Sequence, residues 1–211
     1  MIDRKQVLYY LQSQYEDETL KKQIDEMIEE LIKIADFKVS YQVYNKEQLI
    51  KERLIEGTDV DQFLISCNEC LIMVATLGMS VDRKIKQYQV LDIGKAYVLN
   101  AVANVYLEQQ CDKLYDELKL YYQKHNLYLS DRFSCGYGNY PLTCQKEYIR
   151  LLQTNKKIGV YCNENSLLVP SKSMSGIIGI SKQVQPMKIR GCNYCMMKDT
   201  CNLRKVGKKC G

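Results

Sequence analysis

Tryptophan is absent from the 211-residue chain, histidine occurs once, at His125, and proline three times. A single histidine excludes any multi-histidine metal site. Long apolar runs are also missing. The longest, Leu71 to Leu77, falls far short of the roughly 20 residues a membrane-spanning helix needs. The opening "MIDRKQVLYYLQSQYEDE" alternates charged and apolar residues and has no signal-peptide core. These absences predict a cytoplasmic protein with no membrane partner. Charge of one sign is scarce as well: the net charge is +5, and only "RKVGKKC" near the end is locally basic. A solvated lysine face accounts for that balance, so nucleic acid is not an expected partner.

What the chain does have is cysteine. There are ten, in a composition that is otherwise ordinary for a globular protein, at 46% hydrophobic and 26% charged. In a reducing compartment clustered thiols more often bind metal or do redox chemistry than form disulfides. Four of them lie in "GCNYCMMKDTCNLRKVGKKC", with Cys192, Cys195, Cys201 and Cys210 separated by gaps of two, five and eight residues. Few apolar neighbours surround them. Four thiolates satisfy a tetrahedral zinc or a four-iron cluster, and both accept a Cys-x-x-Cys pair. Spacing does not separate an iron-sulfur cluster from zinc as the alternative, and Arg204, Lys205, Lys208 and Lys209 would offset the negative charge of a thiolate-bound cluster. Cys67 and Cys70 form a second such pair within an apolar stretch, read as buried structural thiols over a redox pair. Cys111, Cys144 and Cys162 fall at apolar positions and read as core.

Periodicity predicts the elements. Helical spacing runs through residues 3–35, most clearly at Leu20, Ile24, Met27, Ile28, Leu31 and Ile34. "FKVSYQVY" from Phe37 alternates as a half-buried strand. "DQFLISCNECLIMVATLG" reads as a buried helix capped by Thr58 or Asp59 and ended by Gly78. A long helical pattern follows over 81–123, in which Gly94 marks a break or a close approach. "LTCQKEYIRLLQT" is helical, and "IGVYC", "NENS" and "LLVP" read as strand, turn and strand ahead of "SKSMSGIIGIS". Helices first and strands late give an α+β fold: N-terminal and central helices packed on a mainly antiparallel sheet, with a small cysteine-rich C-terminal tail. The expected division is 1–186 for the main domain and 187–211 for the tail.

One stretch stands apart. "DRFSCGYGNYPLTC", residues 131–144, gathers Arg132, two glycines, three aromatics, two cysteines and Pro141. Gly136 and Gly138 admit positive φ and a close backbone approach. Pro141 suits the first turn of a helix, whose free N–H groups can meet an anionic or polar ligand. Arg132 can grip a carboxylate with two N–H groups, and Tyr137 can lay its ring against a cation or a flat base. A tight connection between elements, with Arg132 merely at the surface, is the alternative.

The run from 132 to 181 resembles the activation domain of cobalamin-dependent methionine synthase, and above all the short, free-standing activation proteins. The residues that carry the resemblance are Arg132, Ser134, Gly136, Tyr137, Gly138, Gly159, Pro170, Lys172, Ser173 and Ser175. "TLGMSVDRKIKQYQVLD" and "LNAVANVYLEQQCDKL" upstream, and the Gly-Cys-x-x-Cys tail, are similar to the same family. The resemblance implies S-adenosylmethionine binding, with Arg132 on the methionine carboxylate and Ser134, Cys135, Gly136, Tyr137 and Gly138 forming the loop around the ligand. Cys135 stands where the family has proline, which makes its thiol an additional candidate contact. Where the family sends acidic side chains to the ligand, the matching positions here read Asn104 and Asn126.

The resemblance further implies a role in methionine biosynthesis: a reactivation factor for a corrinoid protein, supporting reductive methylation of cob(II)alamin. The cobalamin would be carried by a partner, a cobalamin-dependent methionine synthase or related corrinoid methyltransferase, with flavodoxin or ferredoxin as electron donor. No residue is expected to act as a general acid or base. The alternative is a non-catalytic S-adenosylmethionine-binding adaptor or sensor that docks on a corrinoid protein.

Overall fold

The computed structural model describes residues 2–13 and 15–184, so the tail cysteines Cys192, Cys195, Cys201 and Cys210 and the 186/187 division lie outside the described residues. Within them the chain runs α1 (Arg4–Tyr10), α2 (Glu18–Ile34), β1 (Lys38–Asn45), α3 (Lys46–Lys51), α4 (Thr58–Phe63), β2 (Glu69–Thr76), α5 (Met79–Leu91) and α6 (Ile93–Gln123). It continues with β3 (Tyr128–Phe133), α7 (Cys144–Leu152), α8 (Thr154–Lys157), β4 (Tyr161–Cys162), β5 (Leu168–Val169) and β6 (Ser173–Ser181). Four strands pair antiparallel in the order β1-β2-β6-β3, and β4 with β5 forms a separate hairpin. The predicted α+β class is what the chain adopts. Among the described residues no helix is long and apolar enough to cross a membrane.

The sheet separates two cores. On one face, Leu71, Met73 and Ala75 of β2 and Ile178 and Ile180 of β6 meet Ile24, Met27 and Leu31 of α2 and Leu99 and Val102 of α6. On the other, Cys70, Ile72 and Val74 of β2 and Ile177 of β6 meet Val60, Leu64, Tyr140, Tyr148 and Leu152. This corrects the helix predicted across residues 61–78. Helix α4 stops at Phe63 and the apolar run becomes β2, the second strand of the sheet, buried on both faces. A strand covered on both sides reads as an unbroken apolar run, and periodicity cannot tell it from a buried helix. Cys67 and Cys70 are therefore not on one helical face. Cys67 precedes the strand with its Sγ against Gly179, and Cys70 lies within it; both are buried. Cys111 and Cys144 are also buried, whereas Cys162, on the short β4, is half-buried.

The long helical pattern divides at Asp92, whose extended backbone (φ −160°) ends α5 while its side chain accepts the Lys95 N–H at the start of α6. Gly94 is a close approach instead: a Cβ there would lie 3.3 Å from Asp92 Oδ1 and 3.5 Å from Gln23 Nε2 of α2. Helix α6 has 31 residues, about 46 Å at 1.5 Å per residue. It passes under the sheet and reaches the edge strand β3.

Burial holds the core thiols in their neutral form: Cys70, Cys111 and Cys135 are each pushed from 9.0 up to about 12 by desolvation. In the unfolded chain the same thiols ionise near their ordinary value, so the unfolded state sheds protons first as pH rises. Stability should accordingly be fully present below about pH 9 and be lost progressively toward about pH 12. Urea midpoints measured across that interval should fall steadily. A midpoint that is flat from about pH 8 to about pH 10.5 would contradict the burial of these groups.

Candidate functional site

Arg132 lies near the end of β3, a strand that the pattern of the sequence did not reveal. Between Leu129 and Arg132 the pairing of β3 with β6 shifts register. Ser130 fills the gap. Its hydroxyl accepts the Gly179 N–H at 2.7 Å and donates to the Asp131 carbonyl at 2.9 Å, while its own carbonyl accepts Tyr115 O–H of α6 at 3.0 Å. A bulge of this kind re-aims the residue that follows it. Here it sends Arg132 to the α6 face, across β6 at Gly176. A Cβ on Gly176 would lie 2.5 Å from Arg132 Cγ and 2.9 Å from Cδ, so the glycine makes room for the arginine stem.

The guanidinium ends against α6. Nη2 donates to Glu108 Oε2 at 2.6 Å, and Nη1 lies 3.8 Å from Asp112 Oδ1. The arginine side chain is only 7% exposed, whereas Glu108 and Asp112 are 40% and 58% exposed. Solvent therefore meets the two carboxylates first. One turn earlier on the same helix face, Asn104 Oδ1 accepts Lys172 Nζ at 2.8 Å. Asn104, Glu108 and Asp112 thus form an i, i+4, i+8 row opposite two cations.

The glycine loop is more tied down than its composition predicts. Gly136 and Gly138 do take positive φ, at 91° and 53°. The loop's N–H groups, however, are largely engaged: Tyr137 donates to Ser134 O, Gly136 to Tyr140 O, Tyr140 to Tyr137 O and Asn139 to Asp59 Oδ2. Pro141 does not begin the helix. Its carbonyl accepts the Cys144 N–H in a turn ahead of α7. Thr58 and Asp59 do not cap α4 either. Gly57 is the cap residue, and the Asp59 N–H donates to Asn139 Oδ1 of the loop at 3.0 Å. Loop and helix are stapled reciprocally, so closely that a Cβ on Gly138 would meet Asp59 Oδ2 at 2.2 Å.

Two side chains of the loop part company. Tyr137 is 67% exposed, with its ring free to cover a ligand. Cys135 is buried in the second core, where the Tyr140 and Tyr148 hydroxyls meet each other at 2.7 Å and Tyr140 donates to the Leu54 carbonyl. Its thiol is therefore turned away from the face where Tyr137 is exposed. Phe133, stacked on Phe63 at 5.1 Å, anchors the loop from the strand side. Asn126 lies in the turn between α6 and β3 at φ 56°. Among the described residues no cluster of three or more His, Cys, Asp or Glu side chains is arranged to hold a metal ion.

A crystal structure of the MetH reactivation domain bound to AdoHcy is similar to this chain with a TM-score of 0.59, over 90% of this chain and 72% of that one, at 15% identity. The two share a fold. Neither a protein-family model nor a curated protein matches the sequence. The bound AdoHcy belongs to that domain.

The sequence singles out Arg132 and Tyr137 but not Glu108, Asp112, Ser130 and Tyr115, which the structure brings beside Arg132 or its bulge. Glu108 and Asp112 had a signal, an i, i+4 acidic pair on a helix with an apolar buried side; their partner lies 24 residues beyond Glu108 and leaves no local trace. The Gly176 contact yields a prediction. Gly176→Ala should destabilise the protein by about 1–3 kcal/mol, because the methyl overlaps the Arg132 stem. Adding Arg132→Ala should restore part of that loss. Urea unfolding of the two single variants and the double variant measures the coupling, and strict additivity would contradict the crossing.

Proposed function

We propose that this chain binds S-adenosylmethionine at the Arg132 site and serves as a reactivation factor for a corrinoid protein. The observation that carries the reading is the buried guanidinium held against two solvent-facing carboxylates. An amino-acid headgroup is a zwitterion, and it can enter such a pair without leaving a charge unmatched. Its carboxylate takes the Arg132 fork, and its ammonium takes Glu108 or Asp112. Breaking a buried ion pair by removing one partner is strongly unfavourable, so exchange for an equal array of charges is the economical route. Tyr137, exposed at the rim of the loop, offers a π face to the sulfonium or the adenine. The likeness in fold to an AdoHcy-bound reactivation domain supports the same ligand class.

In this reading the chain works by position. Arg132, set by the Ser130 bulge and the Gly176 crossing, fixes the headgroup; Glu108 and Asp112 fix its orientation; Tyr137 covers the ligand against water. The corrinoid, carried by a cobalamin-dependent methionine synthase or related methyltransferase, supplies the cobalt that receives one electron and the methyl group. Orientation of two reactants is catalysis without acid or base. The electron would come from flavodoxin or ferredoxin.

Calorimetric titration tests the site. AdoMet and AdoHcy should bind the wild type, and Arg132→Ala should weaken both by about ten- to a hundredfold. Equal affinities would remove the site. With a cob(II)alamin-loaded partner and a reductant, the wild type should promote methyl transfer from AdoMet. Binding without promotion would favour a non-catalytic sensor or adaptor.

The tail enters the proposal through its thiols. Cys192, Cys195, Cys201 and Cys210 would hold an iron-sulfur cluster, which supplies one-electron chemistry close to the corrinoid. Anaerobically purified protein should then absorb in the visible and bleach with dithionite. A colourless protein with one zinc per chain would assign the thiols to zinc.

A further inference from the structure

Lys172 is buried, at 8% exposure, immediately ahead of β6. Among the described residues its ammonium makes one hydrogen bond, to the neutral amide of Asn104 at 2.8 Å. Three donors on a buried cation and one uncharged acceptor leave both hydrogen-bonding capacity and charge unmatched. Asp82, also buried, is nearby but committed: its carboxylate accepts the Ser171 N–H, the Ser171 hydroxyl and the Lys172 N–H. Desolvation lowers the Lys172 pKa from its ordinary value, with the Asp82 charge opposing. Among the described residues no carboxylate is hydrogen-bonded to this ammonium.

Position says what the counter-ion is. Lys172 meets α6 at Asn104, and Arg132 meets it at Glu108, one helical turn or about 6 Å along the same face. Lys172, Met174 and Gly176 alternate along one face, the face over which the Arg132 stem crosses. Two cations therefore meet one face of α6, which carries an amide where a third carboxylate would have completed the acidic row. We propose that Lys172 is a second cation of the ligand site, which together with Arg132 receives the carboxylate of the ligand's amino-acid group. Asn104 is the residue that keeps this ammonium available: an amide orients Nζ without neutralising it. The inference rests on the proposed ligand class and adds a specificity element to it. Ligands of the adenosyl type that lack a carboxylate gain nothing from Lys172.

The test uses the full-length chain as wild type, Asn104→Asp and Lys172→Met, titrated with AdoHcy and with 5′-methylthioadenosine, which has no carboxylate. Asn104→Asp gives the ammonium an internal partner, and Lys172→Met removes the charge while keeping a long apolar stem. Each should weaken AdoHcy by about tenfold or more. Methylthioadenosine should bind all three proteins alike, including equally poorly. Without ligand, Asn104→Asp should melt at a higher temperature than the wild type, a readout that does not depend on ligand and confirms that the variant folds. AdoHcy affinities equal in all three proteins would overturn the role of Lys172 and leave the Arg132 site standing. A parallel loss of both ligands would overturn it too, as general damage to the site. A wild type that binds neither compound would overturn the proposed function, and this inference with it.

Discussion

A charged guanidinium that is almost fully covered has to be matched, and much of the architecture around β3 follows from matching Arg132. Its stem needs a missing Cβ on the neighbouring strand, which Gly176 provides. Its direction needs a bulge, and the bulge strands a backbone N–H that Ser130 then accepts. Its charge needs carboxylates, which requires α6 to be long enough to reach the edge of the sheet. Each of these features weakens the local element that hosts it: a glycine in a strand, a broken ladder, an acidic pair beside an apolar helix face. Local rules give way together at one place, which is where function is to be sought.

The sheet gives this arrangement its rigidity. β2 and β6 are covered on both faces, so the two cores clamp the strand over which Arg132 crosses. On the far face, Phe133 and Tyr140 carry the loop into the second core, with stacked rings 6.0 Å apart. The loop thereby has a fixed inner side, the Cys135 side, and a free outer side, the Tyr137 side. In the proposed reading, recognition falls to side chains on a strand and a helix, with the loop as a rim. That differs from a glycine loop that cradles its ligand in unpaired N–H groups, since here most of those groups are bonded within the protein.

What could be read from sequence depended on whether the signal was local. β1, α7 and the β4–β5 hairpin announce themselves by period and turn, and each lies within a few residues of its predicted span, whereas the helical spacing over 3–35 is divided between α1 and α2. β2 was misread because a two-sided strand has no period. Asp92, not Gly94, divides the long helix, because its extended backbone ends one helix while its side chain caps the next. At the site, Arg132 and Tyr137 were legible as residue types suited to a ligand. Glu108, Asp112 and Gly176 were not, since each matters only through a contact that the chain's tertiary path creates. Pro170 and Ser173 of the resembling segment take structural places: Pro170 follows a cis peptide bond, and Ser173 donates to Thr76 Oγ1 at 2.8 Å.

The reciprocal bonds between Asn139 and Asp59 join positions 80 residues apart in the chain. Helix α4 has only six residues and no side-chain cap of its own, too short to persist alone in water. The N–H of Asp59, its second residue, finds an acceptor only after a very long loop has closed, an entropic demand that comes before any reward from the contact. Helix α4 and the glycine bend therefore belong to one cooperative unit, formed late and opening together. Anything that tightens the bend around a guest is felt, through Asn139, as slower amide exchange in a helix on the far side of the strand from Arg132.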